Sequence, residues 1–309
     1  MGAAIDAGRG DPPAAPALLR LSPRLTDLAG GLQVRRLLPA AACRSVGPFV
    51  FFDHFGPVRL APEVDSDVGP HPHIGLATVT LLFDGRQVHR DSLGTVQTIL
   101  PGAVNWMSAG HGIVHSERTL PEDRGRERAA HGLQLWVALP PDQQGSAPSF
   151  QHVGADRIPA LEPAPGVSAR VLVGQAWGRQ SPVHAASPTL YLDLRLAPGA
   201  RLDLPPLAEQ MAVYAPDGGD YQVDGEAAAP RQMLVLPATG ACLVAGPEGA
   251  HLVLIGGAPL AQPARLWWNF VAADGDRERL AAAAQRWAAD AFPPIPGESG
   301  RIPGPAWPG

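Results

Sequence analysis

Two short stretches carry side chains that do chemistry, at a spacing of two: "HPH" at 71–73 and "HSE" at 115–117. Pro72 fixes its own φ and pushes His71 out of the helical region, so His71 and His73 are extended and point the same way. Two imidazoles on one face suit a metal ion, but they also suit a half-buried strand with polar residues. The second stretch supplies the partners. His115 and Glu117 share a face with Ile113, while Val114 and Ser116 share the other. If the strands close into a barrel, the two pairs can face each other across its interior. Three imidazoles and a carboxylate inside an apolar barrel are costly unless paired or bound to a cation, and one metal ion satisfies all four. Such a set, with one or two positions open, suits Fe, Mn, Ni, Cu or Zn.

The elements that must position these residues read as strands. Glycine and proline contribute 35 residues each and punctuate short apolar runs, among them "FVFFDHF" (49–55), "ATVTLLFD" (77–84), "VNWM" (104–107) and "LQLWVALP" (133–140). A proline-rich passage, 140–166, reads as a connection, and a second set of runs follows, including "TLYLDLRLAPG" (189–199) and "HLVLIGG" (251–257). The halves rhyme: "LLFDGRQVHRDSLGTVQTILPGAVNWMSAG" and "VYAPDGGDYQVDGEAAAPRQMLVLPATGACLVAG" repeat the same order of strands and turns. This is an all-β chain of two small barrels, since closure hides the strand edges. One helix is expected from about Asp276 to Ala291, with Leu280, Ala284 and Trp287 on one face, packed on a barrel's outer surface. The expected division is a loose N-terminal tail over 1–18, a metal-binding barrel over 19–150, a second barrel with the helix over 151–292, and a flexible or extended Pro/Gly tail over 293–309.

Composition excludes some functions. With 309 residues, 45% hydrophobic and 17% charged, and a net charge of −5, the chain has no basic surplus, so direct nucleic-acid binding is not expected. Cys43 and Cys242 match no disulfide framework or zinc-knuckle spacing, which fits a reducing compartment. No stretch has the length of a membrane span or the apolar core of a signal peptide, so the expectation is a cytoplasmic protein without a membrane partner.

The motifs "GPFVFFDHFGP" (47–57), "HPHIGLATVTLLFDG" (71–85), "HRDSLG" (89–94), "PGAVNWMSAGHGIVHSE" (101–117) and "QLWVALP" (134–140) resemble those of the pirins, a bicupin family, from about residue 20 to residue 290. The resemblance implies two tandem cupin barrels, of double-stranded β-helix or jelly-roll type, with a short C-terminal helix. It puts the metal of the N-terminal barrel on His71, His73, His115 and Glu117. Iron is the metal it implies, as Fe(2+), with Mn, Ni, Cu and Zn as alternatives. The implied activity is that of a quercetin 2,3-dioxygenase, in which O2 opens a flavonol-like ring with loss of carbon monoxide and Glu117 accepts the substrate's hydroxyl proton. The alternative is a metal- or redox-dependent regulator that contacts a protein partner, a transcriptional cofactor or a metabolic enzyme, without turnover.

Two positions depart from the resemblance. Ala77 stands where many cupins carry an acid, and Ile74 where a basic residue is common, which marks both as candidate cavity positions. His54 reads as a structural residue or one standing behind a ligand. His89 and His111 read as surface or loop residues, and "RLWWNF" (265–270) as packing between barrel and helix. The second half has "LDLPPLAEQ" where a histidine pair would fall and only His251 near the later motif, so its barrel is expected to be structural.

Overall fold

The computed structural model describes residues 18–27 and 32–308. The loose N-terminal tail expected over 1–18 therefore lies, up to residue 17, outside the described residues. A short first strand, β1 (Leu19–Leu21), precedes the strands of the first barrel. These are β2 (Arg24–Asp27), β3 (Gln33–Leu38), β4 (Phe49–Leu60), β5 (Val68–His73), β6 (Leu76–Gly85), β7 (Gln87–Asp91), β8 (Val96–Ile99), β9 (Val104–Ser108), β10 (Ile113–Arg118), β11 (Arg128–Ala138) and β12 (Ser149–Val153). The second barrel uses β13 (Ala160–Ala164), β14 (Val167–Val173), β17 (Thr189–Leu196), β18 (Arg201–Leu204), β19 (Gln210–Tyr214), β20 (Tyr221–Val223), β21 (Glu226–Ala227), β22 (Met233–Val235), β23 (Ala241–Ala245) and β24 (Ala250–Gly257). A small hairpin, β15 (Gln175–Ala176) with β16 (Arg179–Gln180), branches from it.

Each barrel is a seven-stranded sheet over a four-stranded one, and the two barrels repeat one topology. In the first the order is β12-β9-β6-β11-β4-β3-β2 over β5-β10-β7-β8. In the second it is β1-β22-β19-β24-β17-β14-β13 over β18-β23-β20-β21. The rhyme between the halves is thus a structural repeat. One strand departs from the expected division: β1 pairs with β22, so Leu19–Leu21 complete the second barrel in the place that β12 fills in the first. The first barrel correspondingly runs through Val153, because β12 pairs with β9.

The two large sheets pack face to face and share one core, in which Phe52, Leu81 and Leu135 of the first meet Tyr191, Tyr214 and Ile255 of the second. The second barrel's interior is filled by its own apolar side chains, Leu192, Leu194, Val213, Leu243 and Leu254 among them.

The chain then returns to the first barrel. A hairpin, β25 (Arg265–Trp267) with β26 (Phe270–Ala272), leads into α1 (Arg277–Ala288), whose N-cap Asp276 accepts the Arg279 backbone N–H at 3.0 Å. Leu280, Ala283, Ala284 and Trp287 bury one face of α1 against Ile74, Val114 and Phe270, so the helix packs outside a barrel as expected, and that barrel is the first. The last segment, 293–308, has no helix or strand and turns at 296–297, but it is not loose. Ile295 is buried, the Ile302 N–H donates to the Pro70 carbonyl at 2.8 Å, and Glu298 is bonded to Ser116 and Arg118.

Candidate metal centre

The four-stranded sheet of the first barrel builds the site. β10 runs antiparallel between β5 and β7, with His115 directly opposite His71 and Ile113 opposite His73. The two histidine-bearing strands are thus hydrogen-bonded neighbours in one sheet, not walls facing across the barrel. Directly opposed residues on adjacent strands hold their Cβ atoms about 5 Å apart, which brings the imidazoles together without spanning the barrel. The ring centroids of His71 and His115 lie 4.2 Å apart, those of His73 and His115 5.0 Å, and those of His71 and His73 5.1 Å. One ring nitrogen from each lies within 4.8 Å of the others, close enough for one ion.

The register shifts between His115 and Glu117, a bulge that re-aims the strand at the acid. Glu117 Oε1 then lies 3.6 Å from His115 Nδ1, with its side chain only 15% exposed.

The hydrogen bonds around these groups leave donor atoms over. His71 Nδ1–H donates to the Gly69 carbonyl and His73 Nδ1–H to the Asn269 carbonyl, each at 2.9 Å. Both bonds fix the tautomer that presents Nε2 as a lone pair. Neither nitrogen of His115 nor Oε2 of Glu117 has a partner, although all three are buried. Orphaned buried atoms of this kind are costly in a folded protein, and a cation is what this donor set lacks. The residues therefore fit a metal.

Burial also sets the charge states. It depresses His71 to about 4 and holds His73 and His115 well below the usual imidazole range, so all three are neutral ligands near pH 7. Burial pushes Glu117 up to about 8, with Arg118 opposing it.

The opposite wall comes from the large sheet. Thr78, Thr80, Asn105, Gln134 and Trp136 alternate with residues of the shared core and so face the barrel interior. Trp136 packs edge-on against His73 at 5.2 Å. A cavity of about 120 Å³ touches Glu117 and Gln134 between Phe55, Leu60 and Leu82, with Arg86, Arg118 and Arg128 at its rim.

Three readings of the sequence need correction, and His54 has a place of its own. Ala77 alternates with Thr78 and lies in the core shared by the barrels, so the missing acid there changes barrel packing and not the cavity. Ile74 faces outward against Phe270 and α1. His54 does not stand behind a ligand: its Nδ1 meets the Tyr214 hydroxyl at 2.7 Å and its Nε2 meets His131 Nε2 at 3.0 Å, between the barrels. His89 is buried. It sits opposite Glu117 on β7, its ring 5.3 Å from that of His115, with Nε2 3.0 Å from Asp91 Oδ2. The spacing of two in "HRD" is the same signal as in "HPH" and "HSE" and could have placed His89 and Asp91 on the interior face. No local signal marks Asn269, whose carbonyl arrives from the second half of the chain.

Comparison with known proteins agrees with this geometry. The family model described as Pirin matches residues 31–137, and that described as Pirin C-terminal cupin domain matches 191–293. A Pseudomonas aeruginosa protein provisionally named a quercetin 2,3-dioxygenase is 40% identical over 272 residues, covering 87% of this chain and 83% of its own. A pirin-like protein of Caulobacter vibrioides is 42% identical over 265 residues, covering 84% of this chain and 90% of its own. The crystal structure of a quercetin 2,3-dioxygenase from Acinetobacter baumannii matches with a TM-score of 0.86 at 34% identity, covering 94% of this chain and 96% of that one. The tandem barrels are cupin barrels.

Proposed function

Because the chain belongs to the pirin family, we propose that His71, His73, His115 and Glu117 hold one divalent transition metal, iron before Mn, Ni, Cu or Zn, and that the protein is a dioxygenase of the quercetin 2,3-dioxygenase type. The observation that carries this reading is the cluster of three imidazoles with unpartnered nitrogen and carboxylate atoms inside the barrel. A bound iron would supply Lewis acidity toward an oxygen-donor substrate and one-electron chemistry toward O2.

The chain's own residues do the rest. Glu117, the ligand nearest the cavity, accepts the flavonol's hydroxyl proton, and the adjacent cation favours the ionised carboxyl that this requires. Phe55, Leu60 and Leu82 keep water from the reacting ring, and Trp136 holds the His73 imidazole in place. Two oxygen atoms enter the substrate, and one ring carbon leaves with its oxygen as carbon monoxide.

The cavity favours a second reading. At about 120 Å³ it is smaller than the roughly 300 Å³ at which ligand pockets for molecules of this size begin. A centre that stays closed fits a regulator whose metal biases a surface presented to a protein partner.

Anaerobic reconstitution with iron, elemental analysis and O2 uptake with and without quercetin separate the two. The enzyme reading expects about one iron per chain, quercetin-dependent uptake, and a loss of about 100-fold or more in Glu117→Ala. Iron retained with no uptake would reject quercetin cleavage and leave the regulator or an enzyme for a different substrate.

A further inference from the structure

Four of the seven tryptophans of the chain, Trp267, Trp268, Trp287 and Trp307, meet on the outside of the first barrel, with Trp268 one residue before Asn269, whose carbonyl accepts from His73. Trp268 has a φ of +50°. It is the first residue of the two-residue turn between β25 and β26, a position hairpins normally give to glycine. A large aromatic there is strained, so its contacts must hold it. Those contacts include the rings of Phe270 at 5.5 Å and Trp287 at 6.2 Å and the backbone of Gly304, where an added Cβ would lie 3.1 Å from the Trp268 ring and 3.0 Å from Trp287 Cδ1.

The segment "RIPGPAWP" (301–308) lies along this groove with no strand pairing. The Trp287 indole N–H donates to the Ile302 carbonyl at 3.0 Å, and Arg277 donates to the Pro308 carbonyl at 3.2 Å. The Arg301 guanidinium stacks 4.7 Å from the Trp287 ring, and Trp307 meets Trp267 edge-on at 5.0 Å. Aromatic faces for proline rings, and an indole N–H for a peptide carbonyl, are the means by which grooves recognise proline-rich segments. Pro303, Gly304, Pro305 and Pro308 remain exposed, and about 420 Å³ stays open between the tryptophans and the seated chain. The seat is shallow, and attachment to the same chain supplies much of its occupancy through effective concentration.

We propose that the tryptophan groove is a docking site for a proline-rich segment of another protein, which residues 301–308 occupy in cis, so that partner binding and seating of the tail exclude one another. The chemistry that selects the partner is closely spaced prolines preceded by a carbonyl that can accept the Trp287 N–H, not the particular side chains of this tail.

The test uses the full chain. A fluorescein-labelled peptide of residues 299–309 and labelled decaproline are titrated against wild type and Gly304→Val, with binding read by anisotropy and release of the tail read by trypsin cleavage after Arg301. Gly304→Val should speed cleavage, because its side chain would crowd the rings of Trp268 and Trp287 and push the segment off them. It should bind both peptides about tenfold or more tighter than wild type, for want of the cis competitor. Adding Trp268→Ala should abolish that binding. Equal binding by wild type and Gly304→Val, or none to about 1 mM, overturns the proposal. Unchanged cleavage overturns the seating on which it rests. Binding of the tail peptide without decaproline makes the groove a private latch and overturns the partner.

Discussion

At the scale of single residues, the site is three neutral imidazoles and one carboxyl that burial keeps protonated. Metal uptake must therefore displace one proton, from Glu117, at any pH below about 8. The histidines add nothing to this above pH 6, because burial already holds them neutral. Metal affinity should rise about tenfold per pH unit from 6 to 8 and then level off. In Glu117→Gln, which has no proton to lose, affinity should be lower and nearly flat; a chelator competition series in both proteins measures it, and equal slopes would refute the assignment. The metal-free protein should show the opposite trend in stability. Its Glu117 holds a proton that the unfolded chain has released above about 4.5, so rising pH costs up to about 1.4 kcal/mol per unit between 4.5 and 8.

At the scale of elements, the ligand strands are held from outside by the chain's last segment. Glu298, its side chain 8% exposed, accepts the Ser116 hydroxyl at 2.7 Å and binds the Arg118 guanidinium. These two residues flank Glu117 on β10 and face away from the metal. Ile302 holds the Pro70 carbonyl, one residue before His71. Glu298→Ala should weaken metal retention about 10-fold by freeing β10, while Glu298→Gln, which can still accept from Ser116, should recover part of the loss. Chelator competition and hydrogen exchange of the β10 amides check it; wild-type values for both in Glu298→Ala would reject the strap. This contact shows the limit of the sequence as a guide. Strands, helix and the gathering of His71, His73 and His115 with Glu117 beside them are legible because alternation and the spacing of two are local signals. The alternation around Ala77 was equally local, yet which face meets the second barrel is settled only by the packing of the two large sheets. The strap and the Asn269 carbonyl join residues nearly two hundred positions apart, and a proline-rich stretch looks the same whether it is seated or free.

At the scale of the whole molecule, the two barrels are joined by a shared apolar core and a short chain of buried polar groups. Phe52 and Phe49 set their rings edge-on against Tyr214 and Tyr191 across the junction, and β1 ties the start of the described chain to the second barrel. His54 is buried between Tyr214 and His131, with Arg35, Arg231 and Asp217 acting on it from around. Burial first, then the charges of His131 and the two arginines, depress it to about 3. The unfolded chain takes up its proton near 6.5, so between pH 6.5 and 3 the unfolded state binds more protons than the folded one. The stability His54 contributes is therefore complete above 6.5 and is lost as pH falls, by at most about 1.4 kcal/mol per unit. His251 runs the other way: despite its burial, Asp193 and Asp217 hold it above the usual range, and its contribution is full below 6.5 and fades as pH rises. His54→Gln keeps a polar group beside Tyr214 but takes up no proton. Denaturant titrations of wild type and variant from pH 5 to 7.5 should show the acid slope of the variant shallower by close to one proton. Parallel slopes would mean that the junction between the barrels does not sense pH through His54, and that its polar chain serves only to fix how the two sheets meet.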